Sequence, residues 1–180
     1  MYEIRWHGRG GQGSFTGAKL LGTAAAIYDN RFAQAFPSFG PERRGAPVLG
    51  FNRIANQPIN DRSEIEQCDT IIILDDTLMS DSYLEDLKEN AKILLNSTKE
   101  YFNKKIISID ATSLAQKILG KPITNTAMLG LFAALNKDIV THNACIMAIN
   151  SSIKNAIAQM NIELFIAAYK IGEDITNEKF

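Results

Sequence analysis

Cysteine is scarce in this sequence: its 180 residues hold two, Cys68 and Cys145, far apart along the chain. No CxxC and no Cys/His spacing occurs, so neither a zinc site nor an iron–sulfur cluster is encoded here. The two thiols read as buried and free, because an unpaired cysteine behaves as a small hydrophobe. An excess of either charge is also lacking, since 19 Lys and Arg face 20 Asp and Glu for a net charge of -1. Nucleic-acid binding needs a basic surface, and no basic excess or like-charge run supplies one. Long hydrophobic runs are missing too. None reaches the ~20 residues of a membrane span, and the first residues carry no basic-then-apolar leader. The expectation is a cytoplasmic protein with no membrane contact. Repeats, low-complexity segments and linkers are absent, and 46% of residues are hydrophobic, so residues 1–180 read as a single domain with one core.

What is present alternates between strand and helix signals. "YEIRWHG" places Tyr2, Ile4 and Trp6 on one face and runs into glycines, which predicts a strand. From Gln12 to Asp29, Ala18, Leu21, Ala25 and Tyr28 recur at helical spacing. "RFAQAF" and "PVLGFNRI" read as strands on either side of a loop. "DTIIILDD" is a short apolar run closed by acids, as in a strand buried on both faces. Ser80 to Asn90 reads as helical, "AKILLNS" and "KKIISID" as strands, and "ATSLAQKILG" as a helix closed by Gly120. From Asn125 to about Ile171 the pattern is helical in several pieces. The predicted fold is α/β: a Rossmann-like, mostly parallel sheet flanked by helices, with a helical C-terminal third. Ligands of such sheets sit at the carboxyl ends of the strands. The glycine cluster, "LDDT", "NS" and "DATS" fall at that edge.

Gly8, Gly10 and Gly13 satisfy G-x-G-x-x-G, the turn that lets backbone approach a phosphate at a helix N-terminus. A dinucleotide site also wants an acid closing the second strand. Asp29 comes too early, the strand ends at Phe36-Pro37, and Glu42 lies beyond it. A P-loop is excluded because no G-K-[ST] follows. What survives is an amide-rich turn bearing Arg9, or a purely structural strand-to-helix turn. The second loop, "FPSFGPERRGAPV", combines three prolines, two glycines, two phenylalanines and the pair Arg43-Arg44. Such rigid geometry with aromatic anchors and guanidinium groups suits a contact surface.

Together, "HGRGGQG" and "AQAFPSFGPERRGAPV" resemble the gamma subunit of 2-oxoacid:ferredoxin oxidoreductases of the pyruvate synthase type. "DDTLM" from Asp75, "LLNS" from Leu94, "DAT" from Asp110 and "NTAMLG" from Asn125 resemble later signatures of that family, in order, up to about Val140. The resemblance implies a subunit of a larger enzyme, inactive alone, that converts pyruvate, coenzyme A and oxidised ferredoxin or flavodoxin to acetyl-CoA, carbon dioxide and reduced carrier. It implies alpha, beta and delta subunits as partners. Thiamine diphosphate, Mg2+ and iron–sulfur clusters would belong to those subunits, and this chain would bind no cofactor alone. The scarcity of cysteine and the lack of a "GDG" with a distant "NN" agree with that division. The form Arg44-Gly45-Ala46-Pro47-Val48 is similar to pyruvate and branched-chain enzymes, with 2-oxoisovalerate and 2-oxoglutarate enzymes as alternatives.

No catalytic residue is expected. Gly8, Arg9, Gly10, Gly11, Gln12 and Gly13, with Arg43 and Arg44, are the candidate contacts for coenzyme A phosphates or for neighbouring subunits. A ligand-free assembly subunit and a free-standing nucleotide-binding oxidoreductase stay open beside this reading. His7, beside the glycine turn, and His142 read as structural, and Asp75 and Asp76 as strand-end caps. Met128, Met147 and Met160 read as core packing.

Overall fold

A computed structural model describes residues 1–38 and 47–178. The chain runs β1 (Tyr2–Arg9), α1 (Ser14–Thr23), a π-helical turn (Ala24–Tyr28), β2 (Phe32–Pro37), β3 (Pro47–Ala55) and β4 (Cys68–Ile73). Two 3-10 turns, Asp76–Leu78 and Asp81–Leu84, lead to β5 (Leu87–Asn96) and β6 (Ile106–Ile109). Then come α2 (Ala111–Leu119), α3 (Asn125–Leu135), α4 (His142–Ser152) and α5 (Ala156–Asn177). The sheet order is β2-β3-β1-β4-β5-β6. β1, β4, β5 and β6 are parallel, while β3 lies antiparallel between β1 and β2. The predicted mostly parallel α/β sheet with a helical C-terminal third is therefore the observed one.

Strand alternation sorts the apolar side chains onto two faces. Ile4, Trp6, Ile54, Ile72, Leu94 and Ile107 point to one face, where all five α-helices pack through residues such as Leu21, Ala115, Phe132, Cys145 and Phe165. Phe51, Ile71, Ile73, Ile93 and Leu95 point to the other, where irregular chain covers them through Ile65, Met79, Tyr83 and Tyr101. Cys68 and Cys145 are free and buried in these two separate cores, as expected of them. The first core is seamed by Asn52: its Oδ1 accepts from Trp6 Nε1 at 2.9 Å, and its Nδ2 donates to the Ala18 carbonyl at 2.8 Å. One side chain thus ties β3 to β1 and to α1.

The helix expected over Ser80 to Asn90 is not formed. A 3-10 turn ends at Leu84, and Leu87 already pairs with Cys68 as the first residue of β5. Pairing resumes only at Lys92 opposite Thr70, so the strand bulges, and Asn90 takes φ 63 within the bulge. Leu84, Leu87 and Ala91 do share one side, as helical spacing suggests, but they bury it against the helix-free face of the sheet. No helix of the described residues is long and apolar enough to cross a membrane.

Candidate functional site

The strand β1 ends at Arg9, and the chain turns through Gly10–Gly13 into α1. Gly11 and Gly13 take φ 95 and 81, the left-handed region that glycine enters without strain. Gln12 closes the turn on itself: its amide donates to the Arg9 carbonyl at 2.9 Å, and its Oε1 accepts from the Arg9 amide at 2.6 Å. Gly13 has a second reason to be glycine. A Cβ there would stand 2.6 Å from Asn125 Nδ2, which donates to the Gly13 carbonyl at 3.3 Å. The start of α3 thus docks on the start of α1.

Asp75 clasps the turn from β4. Its Oδ2 accepts from Arg9 Nε at 3.1 Å and Gln12 Nε2 at 3.0 Å, and its Oδ1 accepts from the Thr77 amide at 3.0 Å and hydroxyl at 2.6 Å. Arg9 Nη2 also donates to Thr77 Oγ1 at 2.7 Å. Burial alone would raise the Asp75 carboxyl. The bonds from Thr77 and Gln12 and the Arg9 charge outweigh it and hold the group below the usual carboxylate range. Asp75 is also the strand-end cap expected of it, at the N-terminus of the 3-10 turn.

The turn borders a crevice of about 600 Å³ at the carboxyl ends of β1, β4, β5 and β6, walled by Gln12, Asp75, Asp76, Asn96, Ser97, Thr112 and Thr124 among others. Three of the later signatures quoted from the sequence, those from Asp75, Leu94 and Asp110, contribute walls, and the fourth begins at Asn125, next to the lining residue Thr124. Asp76 Oδ2 accepts from Ser97 Oγ at 2.9 Å and pairs with Lys99 Nζ at 3.0 Å. Asn96 Nδ2 donates to the Leu74 carbonyl and to Thr112 Oγ1, both at 2.9 Å. Asp110 caps α2 by accepting from the Ser113 amide at 2.8 Å. Hydrogen bonds from Lys99 and Ser97 lower the Asp76 carboxyl, and those from Ser113 lower Asp110. All three crevice acids are ionised at neutral pH and already engaged, so they offer hydrogen bonding and charge rather than proton transfer.

The sheet order explains why the dinucleotide acid was not found after the second strand. β2 lies at the sheet edge, with β3 between it and β1. The parallel neighbour of β1 is β4, and β4 is the strand that leads into Asp75-Asp76. Sequence reasoning therefore inspected a strand that topology had moved away. It also missed the Asn125 tether, though "NTAMLG" was among the quoted signatures. Of Gly8 to Gly13, Gly11 and Gln12 border the crevice, while Gly8 and Arg9 lie within β1. Arg43 and Arg44 lie outside the described residues. His7 lies on the helix-free face, 4% exposed. His142 opens α4 against the rings of Phe165 and Tyr169, at 5.4 and 4.6 Å, consistent with a structural role. Among the described residues no group of three or more His, Cys, Asp or Glu is placed to hold a metal ion.

This is a Rossmann-like domain whose glycine turn is clasped by an acid from the end of the adjacent parallel strand. Comparison with known proteins makes the assignment specific. The profile described as "Pyruvate ferredoxin/flavodoxin oxidoreductase" matches residues 3–171, and the chain belongs to that family. It is 43% identical to the pyruvate synthase subunit PorC of Methanocaldococcus jannaschii, over 94% of this chain and 96% of that one. It is 37% identical to the pyruvate/ketoisovalerate oxidoreductases common subunit gamma of Pyrococcus furiosus, over 94% and 96% of the two chains. The crystal structure of the pyruvate oxidoreductase subunit PORC of Thermotoga maritima superposes with a TM-score of 0.81 at 32% identity, covering 94% of this chain and 95% of that one. The resemblance to the gamma subunit of the pyruvate synthase type, read from the two loops, is borne out. A 2-oxoglutarate:ferredoxin oxidoreductase chain from Magnetococcus marinus shares the fold with a TM-score of 0.70 at 12% identity, within a longer chain of which 31% is covered.

Proposed function

We propose that this chain works as the gamma subunit of a pyruvate:ferredoxin oxidoreductase and shapes one edge of the active site, meeting coenzyme A with its glycine turn and Arg43-Arg44. The observation that carries this reading is the convergence of the turn with Asp75, Asn96-Ser97, Asp110, Thr112 and Thr124 on one crevice, with Asn125 holding the turn from α3. The first turn of α1 has no side-chain cap and no acid of its own, so its amides are left for an anionic group. The Magnetococcus enzyme, which shares the fold, is a structure with 2-oxoglutarate, coenzyme A and succinyl-CoA bound. The reaction takes pyruvate and coenzyme A to acetyl-CoA and carbon dioxide while ferredoxin or flavodoxin is reduced. Thiamine diphosphate, Mg2+ and iron–sulfur clusters belong in this reading to the alpha, beta and delta subunits. The donor set of this chain does not fit a cluster: its two thiols sit in different cores, and burial pushes Cys68 up to about 11 and Cys145 higher still.

The gamma subunit does not choose the 2-oxoacid in this reading. The Pyrococcus relative supports that, since it is the gamma subunit common to pyruvate and ketoisovalerate oxidoreductases. The complex works in the cytoplasm. A ligand-free interface role is the second reading, favoured by the way Arg9 and Gln12 are tied to Asp75. Replacing Arg43 and Arg44 by Ala in the assembled enzyme separates the two. A rise of about tenfold or more in the KM for coenzyme A, with KM for pyruvate unchanged, supports coenzyme contact. An unchanged KM with impaired assembly supports the interface.

A further inference from the structure

Three polar side chains are buried where two of the helices begin: Asn125 is 5% exposed, Thr126 0% and Asn161 7%. α3 and α5 run side by side in one direction, from Thr126 beside Asn161, through Gly130 beside Phe165, to Ala134 beside Gly172. Their first turns therefore lie together, and Asn125 brings them to the glycine turn. After Thr126 the rest of α3 is apolar, so packing joins the two helices along their length. Thr126 Oγ1 donates to Asn161 Oδ1 at 2.9 Å, which among the described residues is the single side-chain hydrogen bond between α3 and α5. Asn161 is itself held, with Nδ2 donating to the Ile157 carbonyl at 2.8 Å. The Thr126 amide donates to Asn125 Oδ1 at 2.9 Å, and Asn125 Nδ2 donates to the Gly13 carbonyl at 3.3 Å. A line of hydrogen bonds thus runs from α5 through α3 to the glycine turn.

We propose that Thr126 and Asn161 are positioning residues for the glycine turn, holding Asn125 on the Gly13 carbonyl and so fixing where the amides of the turn meet coenzyme A. A polar pair buried between apolar helices contributes little net stability, and apolar groups of the same shape would pack as well. Its polarity therefore points to position rather than to strength. The need for position is local. Thr124, the cap residue of α3, makes no side-chain cap bond, and an uncapped first turn frays. Asn125 stands in that turn, so its grip on Gly13 lasts only while the turn is pinned from α5. Gly13 accepts the first bond of α1, from the Gly17 amide at 2.9 Å, and takes φ 81, in the region open to glycine. A residue with that freedom needs an outside hold if the amides on either side are to keep one direction. This inference rests on the coenzyme reading of the turn and adds to it two residues that touch no ligand.

The test uses the assembled enzyme and three variants. Thr126→Val removes the hydroxyl at nearly equal volume, Asn161→Leu removes its acceptor, and Thr126→Ser keeps the hydroxyl. Hydrogen exchange over residues 10–17 should quicken about tenfold in the first two and return close to the wild-type rate in Thr126→Ser. The KM for coenzyme A should rise about fivefold in the same two variants, with the KM for pyruvate unchanged and a smaller effect on kcat. A merely structural loss would lower the amount of active enzyme and leave each KM alone. Unchanged exchange in both Thr126→Val and Asn161→Leu overturns the positioning role, whatever the KM does. Quickened exchange with an unchanged KM for coenzyme A keeps the hold on the turn and overturns the coenzyme reading. Should both variants fail to fold, the side-chain amide protons of Asn125 decide in the wild-type chain. Exchange about tenfold or more slower than at the exposed Asn143 supports the hold, and equal rates overturn it.

Discussion

Among the described residues Asp75 accepts four hydrogen bonds, from Arg9, Gln12 and twice from Thr77, and so acts as an internal clasp. Asp75→Ala takes one acceptor from the Arg9 guanidinium and one from the Gln12 side-chain amide at the mouth of the crevice. It should cost about 1–3 kcal/mol of unfolding free energy, read by denaturant titration. His7 makes a different prediction, in its pH dependence. Burial first, then the Arg5 charge, brings its pKa down from 6.5 to about 3. The folded value is the lower one, so between the two values the unfolded chain binds the extra proton. The His7 contribution is complete above about pH 6.5 and is lost as pH falls towards 3, by up to ~1.4 kcal/mol per unit. In His7→Gln that loss is absent. The gap in unfolding free energy between wild type and variant should narrow from pH 7 to pH 4.5. Parallel pH profiles would show that His7 is not held neutral in the folded chain.

Helix α3 is buried along nearly its whole length, from Asn125 to Ala134, and Gly130 sets how closely α5 approaches it. A Cβ at Gly130 would stand 2.3 Å from the Phe165 carbonyl oxygen, backbone that cannot rotate aside. Gly130→Ala should force the helices apart and cost about 1–3 kcal/mol, lowering the melting temperature accordingly. On the other face, Arg53 is 1% exposed and stitches irregular chain to the sheet. It donates to Glu3 at 2.9 Å, to the Asp61 carbonyl at 3.4 Å and to Ser63 Oγ at 3.3 Å, and lies over the Phe36 ring. Arg53→Met removes all three bonds and should cost about 3 kcal/mol, with faster hydrogen exchange over residues 57–65. Elements with a single dominant signal were legible in the sequence, such as the apolar run of β4 and the Gly120 stop of α2. The 80–90 stretch was not. A 3-10 turn followed by a bulged strand buries the same spaced leucines as a helix, and only pairing with Cys68 and Thr70 distinguishes them.

At the scale of the whole molecule, what sequence order hides is strand order. The glycine turn announced itself, but its acidic partner is set by the sheet, which places β4 rather than β2 beside β1. The restored pairing of glycine turn and acid raises the nucleotide question again, and the geometry answers it. In a dinucleotide site the acid must be free to take ribose hydroxyls. Here both Asp75 oxygens are occupied, and two of their donors, Arg9 and Gln12, are side chains of the turn itself. A ribose could reach Asp75 only by opening the clasp that holds the turn. Titration of the isolated chain with NAD(P)H, followed by calorimetry or fluorescence, should therefore show no saturable binding in the micromolar range. Asp75→Asn should not create it, since the amide keeps the steric block while weakening the clasp. Tight, stoichiometric NAD(P)H binding by the isolated chain would reject the clasp and make this fold a free-standing nucleotide-binding oxidoreductase.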